Sequence, residues 1–405
     1  MTKKERLSPL FIFSRLSYTT SWQNATLSLL PFLFLLSVPF FSLLPHTSLF
    51  LLLSLLLLLL LGWLFPSSPS PSLPRAALLF WGVLWAGGLS SFLLWQDLFA
   101  FMPALAFCAF FLPYLLPLSQ KGFVFAYGGI GALVGALASL SFLLGKAPKE
   151  WVDLRLQGEF FGRSAVLFGN PNILAAFLLP SLVFNLYFFL TATHKKAKLF
   201  FLVCFLGSGG GLAASFSRGG WVAALLSVLL FLCLLQKSLF PLVLSLCIAP
   251  ALLFSLPSPF LARVLSIFSG DSSVFYRVSL WQSLASLPPS FFFWGCGEGK
   301  SALAHFVFPY LKAGLERVEH LHSVFWHMGV ANGIGGLLLF LLLSGKALLS
   351  PLPQEQRGLS LALRASLLSL LLFGLFDDFL YATQTGVMFF WLLGVNFSLQ
   401  SLRSS

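Results

Sequence analysis

The chain has 405 residues, of which 58% are hydrophobic and 9% charged, with 48 phenylalanines. Soluble domains carry about 25% charged residues and bury most large apolar side chains. The composition therefore excludes a soluble enzyme, a nucleic-acid-binding domain and a disordered scaffold, and the formal charge of +12 belongs to a protein whose solvent is the bilayer.

Residues 1–23 are polar and basic, and the apolar run behind them has no cleavage-site pattern, so that run is expected to stay as a signal-anchor helix. A helix of about 20 apolar residues crosses the hydrocarbon core. On that rule the sequence predicts an all-α, polytopic integral membrane protein with about twelve transmembrane helices. The expected spans are 24–44, 46–65, 76–95, 97–119, 123–144, 173–192, 199–216, 219–235, 239–256, 325–344, 365–382 and 386–402. Little more than Pro45 separates the first two, and a Ser- and Pro-rich turn at 67–74 separates the second from the third. The expected organisation is a cytoplasmic segment 1–23, nine spans within 24–256, a large extracytoplasmic loop 257–324, and three spans with a short tail in 325–405.

Lysine and arginine collect on the cytoplasmic side. With the N-terminus inside, the inner segments hold 14 basic and two acidic residues and the outer segments ten of each. Both termini are then expected in the cytoplasm. The two larger outer loops are 145–172 and 257–324. The second holds His305, His320 and His322, and His327 lies just inside the next span. The five cysteines form neither a CxxC pair nor a disulfide framework.

Ionisable groups at membrane depth are costly and invite a functional explanation. Arg218 follows Ser217 and precedes Gly219 and Gly220, between two apolar runs; Ser208, Gly209, Gly210 and Gly211 are expected to weaken the preceding helix. A broken helix beside a guanidinium suits an anion; a snorkelling interfacial Arg is the alternative. Arg277 and Trp281 share one helical face, as a site or as an interfacial anchor. Arg163 precedes a Gly169, Asn170, Pro171, Asn172 turn in which Asn172 is a candidate helix cap. His320 and His322 lie before the tenth span, either as a base and its neighbour or as a polar cap. Two residues apart, they point to different faces of a helix, so no metal ligand set is expected. Asp377 and Asp378, in the eleventh span, are read as an ion pair with a buried arginine or as orienting groups. Gly131 and Gly135 suit close helix packing, and the turn Gly295, Cys296, Gly297, Glu298, Gly299 suits chain reversal or an anion cradle.

Four ordered blocks resemble the O-antigen ligase and polymerase superfamily of membrane glycosyltransferases. They are Gly169 to Ala175; Ser217, Arg218, Gly219, Gly220 and Trp221; Arg277 to Trp281 with Pro288, Pro289 and the Gly295 to Gly299 turn; and His322 and Ser323 leading to Gly333, Ile334, Gly335 and Gly336. The resemblance covers about residues 160–340. Ser323 stands where many relatives have Asn, and Asn332 where they often have an acidic residue. The resemblance implies transfer of a glycan from a polyprenyl-diphosphate carrier to a lipid-linked or other hydroxyl acceptor, at the outer face of a bacterial inner membrane. It also implies no nucleotide sugar, no cofactor and no obligatory metal. Arg218 and Arg277 would hold the diphosphate, with Arg163 and His320 as further binding candidates, and His322 would activate the acceptor hydroxyl or position it. Rival readings are a bicarbonate-like small-anion transporter of the same superfamily and a non-catalytic assembly partner.

Overall fold

The computed structural model describes residues 74–115, 119–144, 152–153, 162–238, 258–266, 272–312, 315, 320–351 and 354–401, with isolated positions between 33 and 60 and at 240 and 244. The expected spans 24–44, 46–65 and 239–256 lie outside the described residues apart from those isolated positions. So do segment 1–23, stretch 67–73, and Glu316, Arg317 and Glu319.

Seven helices among the described residues are long and apolar enough to cross a membrane: α1 Arg75–Trp95, α2 Leu98–Leu115, α3 Gln120–Leu144, α4 Pro171–Thr191, α5 Lys195–Ala214, α6 Arg218–Gln236 and, after the long connection, α10 Val324–Leu349. All seven fall on expected spans. Between α3 and α4 a short antiparallel pair joins β1 Val152–Asp153 to β2 Arg163–Ser164. The connection before α10 contains α7 Ser258–Leu265, α8 Ser272–Leu284 and α9 Pro289–Trp294, followed by mixed helical turns through Tyr310. Two further helices, α11 Arg357–Phe373 and α12 Thr383–Ser401, close the chain.

Helix α4 is apolar on every side and buried over most of its length, the mark of a helix enclosed by others. It packs against α3, α5, α6 and α11. Asn170 caps it by accepting from the Asn172 N–H at 2.8 Å, and Pro171 at the first helical position has no N–H to satisfy. The expected close packing at Gly131 and Gly135 is present: a Cβ on Gly135 would overlap the Gly207 carbonyl, and one on Gly131 the Ser181 side chain. The buried Asn185 amide beside them donates to Gly128 O at 2.9 Å and to the Ser181 and Ser208 hydroxyls, which satisfies a polar group that would otherwise be costly.

Two expectations require correction. The glycines after Ser208 do not interrupt their helix: α5 runs through to Ala214, because Gly207 and Gly211 lie against the backbone around Ala132 and Gly135, where side chains would not fit. The interruption comes at Phe216, in the left-handed region at φ 50°. The eleventh helix begins and ends earlier than 365–382, stopping at Phe373. Asp377 and Asp378 therefore lie in the turn after it rather than within a span.

Helix α10 is broken at Gly333, whose backbone (φ 67°, ψ −178°) only glycine adopts readily. The break leaves carbonyls without helical partners, and the loop after α9 fills the gap: Cys296 N–H donates to Val330 O at 2.8 Å and Gly297 N–H to Ala331 O at 3.0 Å. Gly295 and Gly333 approach so closely that a Cβ on either would overlap the other strand. The Gly295 to Gly299 turn is thus inserted into the break as a plug, with the N–H groups of Cys296, Gly297 and Glu298 taken by backbone carbonyls rather than open to an anion.

Candidate functional site

The start of α4, the end of α5, the start of α6, the start of α10, the end of α11 and the start of α12 all lie at one end of the bundle, since successive helices alternate in direction. Lys121, Lys195, Lys196, Lys198, Lys237, Lys346 and Arg357 lie at or near the opposite helix ends. Every expected site residue belongs to the first end.

Asp377 is the centre. Its side chain is 4% exposed, while those of its partners Arg277, His320 and His322 are 19%, 14% and 21% exposed. The turn that carries it is tied at both sides: Asp377 N–H donates to Phe373 O at 3.1 Å, and Val324 N–H, at the start of α10, donates to Gly374 O at 2.9 Å. One carboxylate oxygen, Oδ2, receives Arg277 Nη2 at 3.2 Å and the Asn172 amide. The other, Oδ1, receives the Asp378 N–H at 2.9 Å and faces His320 Nε2 at 3.4 Å and His322 Nδ1 at 3.5 Å. The two rings are 4.2 Å apart, centre to centre. Burial disfavours charge on Asp377, yet the imidazole contacts and the Arg277 cation outweigh it and hold the carboxyl well below the usual carboxylate range. Burial pushes the His322 imidazole below its ordinary value.

The two histidines come together because their segment is not helical. His322 takes the left-handed conformation at φ 50°, which turns its ring toward the side that His320 already faces. Trp281 on α8 donates from its indole to Leu321 O at 3.1 Å and fixes the segment between them. Tyr381 stacks on His320, with ring centres 4.7 Å apart, and Tyr276 meets His322 edge-on at 5.8 Å. Arg277 leaves the same helical face as Trp281, as its four-residue spacing implied, and also donates to Ser273 Oγ at 2.6 Å.

The other two arginines border this centre. Arg163, on β2, donates to Asn172 Oδ1 at 2.7 Å and to Ser215 O at 2.9 Å. Asn172 is therefore not the helix cap, because Asn170 fills that role. Its amide bridges Arg163 to Asp377. Arg218 opens α6 behind the Ser217 cap and donates to Ser266 Oγ at 2.8 Å. Its neighbour Gly219 packs on Phe373 and Phe376, so this helix N-terminus abuts the turn that carries Asp377.

A second polar set lies deeper and has no counterpart among the expected site residues. His327 on α10 sets Nδ1 3.0 Å from Asp378 Oδ2 and Nε2 2.8 Å from Glu298 Oε2, and the Asn332 amide donates to the other Glu298 oxygen. All four residues are buried. Glu298 belongs to the plug, so this set joins plug, broken helix and turn. The available signal was a histidine inside an apolar run and, 29 positions earlier, an acidic residue flanked by glycines.

The O-antigen ligase family model matches residues 200–341. No curated protein matches the chain. The matched stretch supplies Arg218, Arg277, His320 and His322, while Arg163, Asn172 and Asp377 come from outside it. Over residues 200–341, the chain is similar to the O-antigen ligase family.

Proposed function

We propose that the protein is a glycosyltransferase that moves a glycan from a polyprenyl-diphosphate carrier to a hydroxyl acceptor at the outer face of a bacterial inner membrane. The observation that carries this reading is the convergence of Arg277 and His322 on one carboxylate, Asp377. Ligand sites in membrane proteins need polar groups gathered where water reaches them, and these side chains are partly exposed at one end of the bundle. The lysine-rich helix ends lie opposite, which supports reading this end as external and, with twelve spans, both termini as cytoplasmic. The reading includes 257–324 as the extracytoplasmic loop.

As the glycosidic bond to the carrier breaks, negative charge grows on the departing diphosphate, and fixed guanidinium groups stabilise it more in the transition state than before. Arg277 and Arg218 take that role, with Arg163 behind them. Arg277 Nε is buried with no hydrogen-bond acceptor among the described residues, which leaves a donor for a phosphate oxygen. His322 turns Nδ1 toward Asp377, so the proton rests on Nδ1 and the Nε2 lone pair is available to remove the acceptor's hydroxyl proton. The acceptor oxygen then bonds to the sugar carbon while the diphosphate leaves with the bonding pair. No step calls for a metal. His320 steadies the same carboxylate. Cells lacking this chain should accumulate the diphosphate-linked glycan and lose the glycosylated acceptor in mass analysis of envelope lipids. Unchanged levels of both would overturn the proposal.

A further inference from the structure

We propose that His320, His322 and Asp377 form a binding site for a divalent transition-metal ion of the zinc type, and that such an ion acts as an inhibitor rather than a cofactor. The three donor atoms lie within 4.8 Å of one another. The two His-to-carboxylate distances, 3.4 and 3.5 Å, exceed the range of a good N–H···O hydrogen bond. They match the separation of two ligands on a tetrahedral ion with bonds of about 2.0–2.1 Å, which is about 3.3 Å. Both ring nitrogens thus stand at a ligand-to-ligand separation from the carboxylate oxygen.

The surroundings divide as they do around a metal. Oδ1 of Asp377 faces the two rings, while Oδ2 is held by the Asn172 amide and Arg277 Nη2, the outer hydrogen bonds that orient a ligating carboxylate. Tyr381 and Tyr276 fix the ring planes. Among the described residues, His322 Nδ1 is buried without a hydrogen-bond partner at good geometry. Two imidazoles and one carboxylate are a set that zinc accepts, with a fourth position left for water. Arg277 opposes a dication by its charge, so the site suits an ion that forms strong bonds to nitrogen and not a hard ion such as magnesium. Coordination through Nδ1 forces the His322 proton onto Nε2 and removes the lone pair assigned above to the acceptor hydroxyl. The inhibition rests on that functional reading; the binding does not.

The test uses the full, tag-free chain in detergent, treated with chelator and titrated with Co²⁺ for its visible ligand-field bands and with Zn²⁺ by calorimetry. Wild type should bind one ion with low-symmetry, four- or five-coordinate Co²⁺ spectra. H320Q and H322Q should each weaken binding by more than about tenfold at unchanged thermal unfolding, whereas H305Q, on an exposed residue that packs at a tilt against Trp95, should bind as wild type does. Absence of binding to wild type, or equal binding by H320Q, H322Q and wild type, would overturn the site. In membranes supplied with lipid-linked glycan, added Zn²⁺ should stop transfer and chelator should restore it. If the ion binds through both histidines and transfer continues, the metal site stands and the role of His322 as base falls.

Discussion

Asp377 and Asp378 are adjacent in the chain and sit in opposite surroundings. Asp377 faces an arginine and two histidines that remain 14–21% exposed, at separations of 3.2–3.5 Å. Asp378 points inward to His327, which is buried and clasped from its other side by Glu298. The same side chain is therefore placed once among partners that a ligand can reach and once among partners sealed from water. Exchangeable, partly wet contacts suit chemistry; dry, reciprocal ones suit the joining of segments. Each carboxylate is intelligible only from what the other lacks.

The comparison breaks most decisively at the two histidines. His322→Ala should reduce glycan transfer by about 10²–10⁴-fold, the usual worth of a general base, while thermal unfolding in detergent stays as in wild type. Transfer at the wild-type rate would take His322 out of the mechanism. His327→Leu should do the reverse in kind, because it leaves Glu298 and Asp378 buried without their shared partner. Breaking such a buried pair costs about 3–5 kcal/mol, and denaturant or thermal unfolding should read it; wild-type stability would remove the structural role of the deeper set.

A smaller effect is expected where the plug meets the broken helix. Gly333→Ala places a Cβ at φ 67° against the Phe293 carbonyl and the Gly295 backbone. The backbone conformation alone costs about 1–3 kcal/mol, read as a lowered unfolding temperature, and the clash adds to it. The smallest effect sharpens the Asp377 side. Burial lowers the His322 pKa from 6.5, so its neutral, active form persists into more acid solution and transfer should fall only at pH below about 6.5. Asp377 favours the protonated imidazole through its contact and its charge. Asp377→Asn should therefore move this acid limb to still lower pH, in rate profiles measured on membranes. A limb that stays in place would show that Asp377 does not act on His322.

Hydropathy located the helices well. The seven membrane-length helices match expected spans within a few residues, except where α2 and α10 differ more at one end, because apolar length is written locally and bilayer thickness is fixed. The eleventh helix was placed several residues too late: Leu375 and Phe376 extend the apolar run past Phe373, and hydropathy does not register a turn held by hydrogen bonds. Likewise the glycines of α5 suggested weakness, and only the neighbouring backbone at Gly135 shows why they are accommodated. Among site residues, the arginines and loop histidines were evident as polar groups in an apolar chain. The role of Asn172 was not, because Asn170, Pro171 and Asn172 offer two equally good caps and only distant partners distinguish them.

Composition, apolar run length and basic-residue placement, all local or additive properties, determined by themselves that this is a helical membrane chain with arginines and histidines in its connections. Partner choice was decided by the tertiary structure alone. Asn172 reaches Asp377 across 205 positions, Arg277 across 100, and His327 meets Glu298 across 29. Bonds between segments so far apart follow no helical period, and their geometry exists only once the helices have packed.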